Sequence, residues 1–139
     1  MAEAISNMNL LKIDENTTTT IGKVICDYPT NVVPEITTFA MEIRSLNHEN
    51  GKKQLDHVIE TLKKAADKFD AKLEYEVNQS LYAYYHEDDN RVIKRFKEMC
   101  KRHNLNYQGL VMRGGTDVSG LTFKGIVDDS YQPFFEELD

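Results

Sequence analysis

The chain has 139 residues, of which 40% are hydrophobic and 29% are charged, as in ordinary folded domains and unlike disordered chains. This length predicts one domain with a single modest core. The longest unbroken apolar run is five residues, whereas a membrane-spanning helix needs roughly 20. No basic-then-apolar signal segment opens the chain. We therefore expect a soluble cytoplasmic protein with no membrane partner.

The formal net charge of −6 is unevenly distributed along the chain. Five acidic residues and no basic residue follow Gly125, so the rest of the chain has a net charge of only −1. Binding to phosphate groups requires a clustered basic surface that releases counterions. The charge distribution therefore argues against a nucleic acid partner, and it also disfavours an anionic membrane surface.

Cysteines and histidines give no strong indication of a metal site. Cys26 and Cys100 form no C-x-x-C pair, and we expect both to be buried, reduced thiols. The four histidines are scattered without an H-E-x-x-H spacing. The one cluster of acids with a histidine, residues 86–89, lies where a helix begins, so its carboxylates favour the positive end of the helix dipole. Metal binding is the alternative interpretation of this cluster.

The first elements are predicted to be a short helix and two strands. The helix precedes a stop at residues 14–16, and its apolar residues have helical spacing: Ala4, Ile5, Met8 and Leu11. Strands are predicted over residues 18–27 and 36–45, because both segments alternate. The two prolines between the strands, in residues 28–34, predict a turn.

The clearest helix follows the second strand, with one apolar face opposite a charged face. Its apolar residues are Leu55, Val58, Ile59, Leu62, Ala65, Ala66 and Phe69. Asn47 is the predicted N-cap, and Asp70 is predicted to leave the helix in the left-handed conformation. A third strand is expected over residues 73–77, and the apolar run at residues 81–85 is a candidate continuation of it. Residues 18–78 are therefore predicted to be β-β-α-β.

The remaining segments are predicted to be a helix, a short strand, a loop and another helix. The first helix has apolar residues from Val92 to Cys100 and ends near residues 103–104, and the strand covers residues 107–112. The loop is Arg113-Gly114-Gly115-Thr116-Asp117. A helix is expected over residues 119–124. The acidic tail is expected either to be poorly ordered or to dock as a short helix at residues 134–138.

The loop at residues 113–117 is the most unusual local feature. Its two glycines allow backbone amides to approach a ligand closely, and the adjacent guanidinium group of Arg113 can bind a carboxylate with two hydrogen bonds. This combination suits an anionic end group. A plain β-turn explains the same residues, so the spacing alone leaves both interpretations open.

Four segments in this order resemble the peptidase T-like branch of the di-zinc aminopeptidase and desuccinylase superfamily. They are KVICDYPTNVVP (23–34), AMEIRSL (40–46), the helix and strand over 51–77, and MRGGTDVSGLTFKGI (112–126). The resemblance implies an α+β fold. Residues 1–85 would form an incomplete ferredoxin-like β-β-α-β lid, in which the first strand is missing and the first helix is a stub. Residues 86–126 would be a helix-strand-loop piece of an α/β catalytic domain, and residues 127–139 an acidic tail.

The resemblance also implies a function and a set of site residues. Family members are zinc-dependent aminopeptidases that hydrolyse short peptides. By resemblance, the residues that bind the backbone or the terminal carboxylate of the substrate are Asn31, Arg113, Gly114, Gly115 and Thr116. Arg44 matches an arginine with a structural role. No catalytic residue and no metal ligand of the family can be assigned here, so no cofactor is expected in this chain, although the full-length family binds zinc.

Three functional hypotheses follow from this resemblance. The first is a fragment of a peptidase that carries the lid and the substrate loop and is inactive alone. The second is a stand-alone dimerisation or protein-interaction module, and the third is one half of a split metallopeptidase. The expected partners are a second copy bound through the lid and, once the missing part is supplied, short peptides.

The absent first strand of the lid would lie between the strands at residues 36–45 and 73–77. Its loss would leave a gap of about 9.6 Å, which is two strand spacings. Because unpaired strand edges favour aggregation, we expect this gap to be closed by re-pairing within the chain or by a strand from another copy.

Overall fold

The computed structural model describes residues 1–124, with the side chain of Phe123 excepted. The chain forms two compact units, of which the first is Met1–Val77 and the second begins at Asn78. The elements in chain order are α1 (Ala2–Ser6), β1 (Leu11–Lys12), β2 (Thr17–Ile25), β3 (Thr38–Ser45), α2 (His48–Lys68), α3 (Arg91–Arg102) and α4 (Asp117–Phe123). The predicted α+β class is confirmed. The assignment of residues 1–85 and 86–126 to a lid and a catalytic piece stays a prediction, and the tail lies outside the described residues.

The first unit contains an antiparallel sheet in the order β1-β2-β3. The strands β2 and β3 confirm the two predicted strands, although each is shorter at the end that faces the proline-bounded turn. Their register shifts between Ile21 and Lys23, so Gly22 is an extra residue on β2. Alternate residues of β3 are exposed and half-buried as predicted, and Phe39, Met41 and Ile43 lie on the inner side.

Helix α2 confirms the strongest prediction from the sequence. The side chain of Asn47 accepts a hydrogen bond from Asn50 N–H at 3.0 Å, as expected of an N-cap. The helix ends at Lys68, and Asp70 takes a positive φ of 49°. The amide of Ala71 then bonds to the carbonyl of Ala66 at 2.9 Å. Both ends of this helix are therefore closed by local hydrogen bonds.

The core of the first unit is small and lies between α1, α2 and the inner face of the sheet. Its fully buried members are Ala4, Met8, Val58 and Leu62. The half-buried side chains packed around them are Leu10, Ile21, Phe39, Met41, Ile43, Ala65 and Leu73. Because so few side chains are fully removed from water, each of them carries a large share of the hydrophobic stabilisation.

Two fully buried threonines of β2 differ in their hydrogen bonding. The Thr17 hydroxyl shares a hydrogen bond of 2.8 Å with the Ser45 hydroxyl. The Thr19 hydroxyl is buried and has no hydrogen-bond partner among the described residues. Transfer of an unpaired hydroxyl from water into an apolar interior costs free energy that the fold does not recover.

Replacement of these threonines by valine is expected to have opposite effects. Thr19→Val removes the unpaired hydroxyl and should raise the free energy of unfolding by about 1 kcal/mol. Thr17→Val is the matched control and should lower it by about 1 kcal/mol, because it removes a made hydrogen bond. Urea unfolding followed by far-UV circular dichroism measures both changes. Equal destabilisation by the two variants would contradict the assignment of Thr19 as unpaired.

The beginning of the chain forms a shorter helix than the apolar spacing predicts. Helix α1 ends at Ser6, and Leu11 pairs with Thr19 as part of β1. The predicted stop is a real turn: the Asp14 carboxylate accepts a hydrogen bond from Asn16 N–H at 2.6 Å and another from the Asn50 side chain at 3.1 Å. The bond from Asn16, together with others, lowers the pKa of Asp14. The helix therefore ends at Ser6, the chain pairs with the sheet through β1, and the turn at residues 14–16 leads into β2.

The predicted strands at residues 73–77 and 107–112 are wrong for this structure, as is the continuation through 81–85. Residues 71–86 and 105–112 contain no strand in the described part of the chain. Leu73 nevertheless packs against the core. The alternating pattern is present, but a strand also needs a neighbouring backbone to pair with. The helix-strand-loop arrangement predicted for the second unit is therefore a helix followed by an irregular segment and a loop.

The expected gap beside β3 is not closed by residues 1–124. Within that range β3 pairs only with β2. The added strand, β1, lies on the far side of β2 and pairs with Thr18 and Thr19. Re-pairing within the described chain is therefore excluded, while closure by a strand from another copy stays a prediction.

Two smaller predictions also need correction. Cys26 is exposed, because it follows the end of β2 that extends past the core, whereas Cys100 is buried as expected. The helix α3 is capped by Asn90, whose side chain accepts from Val92 N–H at 2.8 Å, and not by the preceding acids. Asp88 instead forms an ion pair with Lys97 at 2.7 Å.

Candidate functional site

The loop at residues 113–116 connects the irregular segment 105–112 to α4. Arg113, Gly114 and Gly115 are exposed, and Thr116 is half-buried. A Cβ atom added to Gly115 would collide with Cδ1 of Leu81, while a Cβ atom on Gly114 would meet open space. Packing against Leu81 therefore accounts for the second glycine, whereas nothing in the surrounding packing requires the first.

Two side-chain contacts attach this loop and α4 to the segment that begins the second unit. The Ser119 hydroxyl accepts from Tyr82 N–H at 2.9 Å and donates to the Tyr82 carbonyl at 2.7 Å. The hydroxyls of Tyr84 and Thr116 lie 2.9 Å apart and share a hydrogen bond. Because Ser119 is buried, the paired bonds to Tyr82 hold the start of α4 in a defined position.

The predicted binding of an anionic group falls on the first three residues of the loop and stays a prediction. The guanidinium group of Arg113 supplies a fixed positive charge, and Gly114 and Gly115 expose their backbone to solvent. Thr116 contributes less than the sequence suggests, because its hydroxyl already bonds to Tyr84.

Asn31 lies in the first unit, in the turn that joins β2 and β3. The amide of Val32 bonds to the carbonyl of Pro29 at 3.0 Å, which closes the turn around Asn31. The Tyr28 hydroxyl accepts from Ile36 N–H at 3.2 Å and holds the following chain. Asn31 is exposed. It belongs to a different unit from residues 113–116, so the structure describes these two parts of the predicted site separately.

Arg44 forms an exposed ion pair on its own strand, and the structural role implied for it stays a prediction. Its Nε atom lies 3.0 Å from a carboxylate oxygen of Glu42 on the exposed face of β3. This hydrogen bond and the charge of Glu42 raise the pKa of Arg44. Arg44 is therefore oriented along its own strand.

The described residues do not fit a zinc site. No three side chains of His, Cys, Asp or Glu within residues 1–124 lie close enough together to hold an ion. His86 and Asp88 have a zinc-like spacing in the sequence, but Asp88 pairs with Lys97. A zinc site with fewer than three protein ligands would be unlike those of hydrolytic enzymes. The prediction that this chain supplies no metal ligand and no cofactor site stays a prediction.

A solvent-open groove between α1 and α2 has a volume of about 360 Å³. Opposite charges line it in pairs: Lys68 contacts Glu3 at 2.7 Å, and Lys64 contacts Glu60 at 2.6 Å. A hydrogen bond and the positive charge of the paired lysine lower the pKa of each glutamate. Because the lysines and glutamates are paired with each other and exposed to solvent, we interpret the groove as a surface contact between α1 and α2.

Two side chains of the second unit bury a polar atom that has no hydrogen-bond partner among the described residues. These atoms are Gln79 Oε1 and Thr122 Oγ1. Sequence reasoning missed both, because neither residue belongs to a recognisable motif. Buried polar groups usually have partners, so these two atoms are exceptions among the described residues of the second unit. No helix in the described part of the chain is long and apolar enough to cross a membrane.

Comparisons with known proteins identify relatives for the whole described chain. Residues 1–70 match the model of the peptidase dimerisation domain. The chain is 26% identical over 137 residues to YqjE, an uncharacterized protein of Bacillus subtilis strain 168, covering 99% of this chain and 37% of that protein.

Two crystal structures resemble the fold closely. The aminopeptidase PepT from Bacillus cereus ATCC 10987 matches with a TM-score of 0.83 at 26% identity. A tripeptidase from Staphylococcus aureus subsp. aureus Mu50 matches with a TM-score of 0.85 at 31% identity. Each match covers 91% of this chain and 34% of the longer chain. The chain thus spans about a third of the length of these relatives, and the predicted lid fold is confirmed.

Proposed function

Because this chain belongs to the family of peptidase dimerisation domains, we propose that it is the pairing and substrate-covering module of an aminopeptidase for short peptides and is inactive alone. The observation that carries the proposal is the match of residues 1–70 to that domain. The names of the two similar structures, an aminopeptidase and a tripeptidase, support the substrate class.

The open edge of β2 supports homodimer formation. The short strand β1 covers only Thr18 and Thr19 on this edge. Beyond them β2 continues to Ile25 with Val24 and Ile25 exposed, at 49% and 43%. Two such edges can pair antiparallel and extend the sheet across two copies. In this proposal the exposed face of α2 lies beside the paired strands as a second contact.

The loop at residues 113–116 supplies the substrate-binding part of the proposal. The Arg113 guanidinium would bind the terminal carboxylate of a short peptide, and the amides of Gly114 and Gly115 would contact its backbone. Asn31, in the first unit, is proposed as a further contact for a peptide substrate. The family's zinc would activate water for hydrolysis. No three His, Cys, Asp or Glu side chains of residues 1–124 lie close enough together to hold an ion, and in this proposal the hydrolytic step depends on ligands from outside that range.

Analytical ultracentrifugation tests the pairing. We expect the purified chain to sediment as a dimer at micromolar concentration. Val24→Lys should weaken the dimer at least tenfold, because it places like charges on both paired edges. The matched control is Val33→Lys, since Val33 is 89% exposed in the turn outside the sheet, and it should leave sedimentation unchanged.

Each outcome of this experiment bears on a separate part of the proposal. A wild-type chain that stays monomeric at 100-fold higher concentration would contradict pairing through the lid. Hydrolysis of a tripeptide by the zinc-supplemented chain, surviving repurification, would contradict inactivity alone. If a folded Val24→Lys variant dimerises as strongly as the wild type, the open edge of β2 is not the interface.

A second candidate, one half of a split metallopeptidase, is favoured by the extent of the structural matches, because this chain covers 34% of each similar peptidase. In that case tripeptide hydrolysis would appear only after mixing with a chain that carries the zinc ligands. The same activity assay therefore distinguishes the two candidates.

A further inference from the structure

Helix α3 exposes part of its apolar face. Val92, Phe96 and Met99 have the spacing i, i+4 and i+7, so they form one strip along the helix. Their exposed fractions are 52%, 49% and 44%. Cys100, on the neighbouring part of the apolar face, is buried. The second unit therefore buries one side of this face. On the other side, which we call the α3 strip, the Phe96 ring contacts the Tyr107 ring edge-on at 6.1 Å between centroids, and about half of each of the three side chains stays exposed among the described residues.

Arginines line one side of the α3 strip. Arg91, Arg95 and Arg102 follow one edge of the helix next to Val92 and Met99. All three are exposed, and none forms an ion pair with the acidic groups of residues 1–124. The lysines lie on the opposite side of the helix.

One of these lysines already has partners. Lys97 contacts Asp88 at 2.7 Å, and its Nζ atom lies 4.9 Å from the centre of the Tyr107 ring. The three arginines therefore place positive charges that form no ion pair within residues 1–124 beside the apolar strip, while Lys94 and Lys101 place two on the opposite side of the helix. A matching ligand would combine large apolar side chains with several carboxylates.

The last 15 residues of the chain have this composition. They contain five acids and no base. Their large apolar residues have a spacing that matches the strip: Tyr131, Phe134, Phe135 and Leu138. The ten residues from Lys124 to Phe134 can span at most about 33 Å. A unit of this size has a radius of gyration of about 10 Å, so the segment can reach any part of its surface.

We propose that residues 127–139 bind the α3 strip of the same chain. Phe134, Phe135 and Leu138 cover the apolar side chains, and the carboxylates of Glu136 and Glu137 pair with the neighbouring arginines. This inference is independent of the proposed function. It assigns an occupant to an apolar face of the second unit, whereas the proposed dimer uses the first unit.

Competing occupants fit the strip less well. A second copy of α3 would bring its own arginines against the first set, and like charges across an interface cost free energy. An anionic lipid surface also suits a basic amphipathic helix. It would have to compete with residues 127–139, which belong to the same chain as the strip. A covalent link of about ten residues gives an effective concentration in the millimolar range, which favours the tail over a dilute ligand.

Paramagnetic relaxation tests this proposal in the full chain. A nitroxide label is attached in the variant Ser130→Cys with Cys26→Ser, which leaves the buried Cys100 as the other thiol. The label should broaden the amide signals of Val92, Phe96 and Met99 at least twofold more than those of α2. The variant pair Arg95→Gln and Arg102→Gln should remove this difference, as should 0.5 M salt.

The matched control is the pair Lys94→Gln and Lys101→Gln, which removes the same charge from the opposite side of the same helix and should leave the broadening unchanged. Preserved chemical-shift dispersion shows that each variant is folded. Equal broadening of α2 and α3, or loss of broadening in the lysine variants alone, would overturn the proposal. So would broadening that appears only between labelled and unlabelled copies, or displacement by phosphatidylserine vesicles at micromolar lipid.

Discussion

Leu62→Ala is expected to lower the free energy of unfolding of the first unit by about 2–4 kcal/mol. Leu62 is 8% exposed and belongs to the core cluster with Ala4, Met8 and Val58. Truncation to alanine removes its transfer free energy and leaves a cavity that the surrounding side chains fill only in part. With so few buried residues in the cluster, no other contact replaces the loss.

Urea unfolding followed by far-UV circular dichroism measures this effect. Val33→Ala is the control, because Val33 is exposed in the turn between β2 and β3, and it should change stability by less than about 0.5 kcal/mol. If Leu62→Ala does not fold, Leu62→Met keeps the volume and should cost less than about 1.5 kcal/mol. Equal effects of Leu62→Ala and Val33→Ala would contradict the position of the core.

Ser119→Ala is expected to cost about 1–3 kcal/mol in the second unit. The change removes both hydrogen bonds between the Ser119 hydroxyl and the backbone of Tyr82. It therefore takes one hydrogen-bond partner away from the Tyr82 N–H group and one from the Tyr82 carbonyl group, at a position where Ser119 is buried. Because these bonds hold the start of α4, we expect the loop at residues 113–116 to become more mobile.

Amide hydrogen exchange locates this change. Protection of Tyr82 should fall by at least tenfold in Ser119→Ala, while amides of α2 in the first unit keep theirs. Ser80→Ala is the control, because Ser80 is exposed and lies only two residues from Tyr82. Similar loss of protection in both variants would show that the hydroxyl of Ser119 does not hold this segment.

Local signals explain the parts of the fold that the sequence predicts well. Helix α2 combines a regular apolar face, an N-cap at Asn47 and a left-handed exit at Asp70, and each acts within a few residues. The alternating pattern and the intervening prolines locate β2 and β3 in the same way. These elements need no information from distant parts of the chain.

Predictions failed where the outcome depends on a distant partner. Leu11 has the spacing of a helix, but pairing with Thr19 places it in a strand. Residues 73–77 alternate like a strand, but no neighbouring strand in residues 1–124 pairs with them. For the site, the loop itself was predictable from Arg113 and its glycines. The contacts that hold it, from Ser119 to Tyr82 and from Gly115 to Leu81, join residues more than 30 positions apart and have no local signature.

The exposed ion pair of β3 also bears on how this chain avoids forming fibres. Within residues 1–124 the outer edge of β3 has no strand neighbour, so its backbone is a template for copies of itself. Glu42 and Arg44 lie at alternate positions on the solvent side. In a parallel in-register stack, each glutamate would face glutamate and each arginine would face arginine. These two residues therefore act as gatekeepers that penalise endless stacking of identical strands while leaving the edge accessible to a different one.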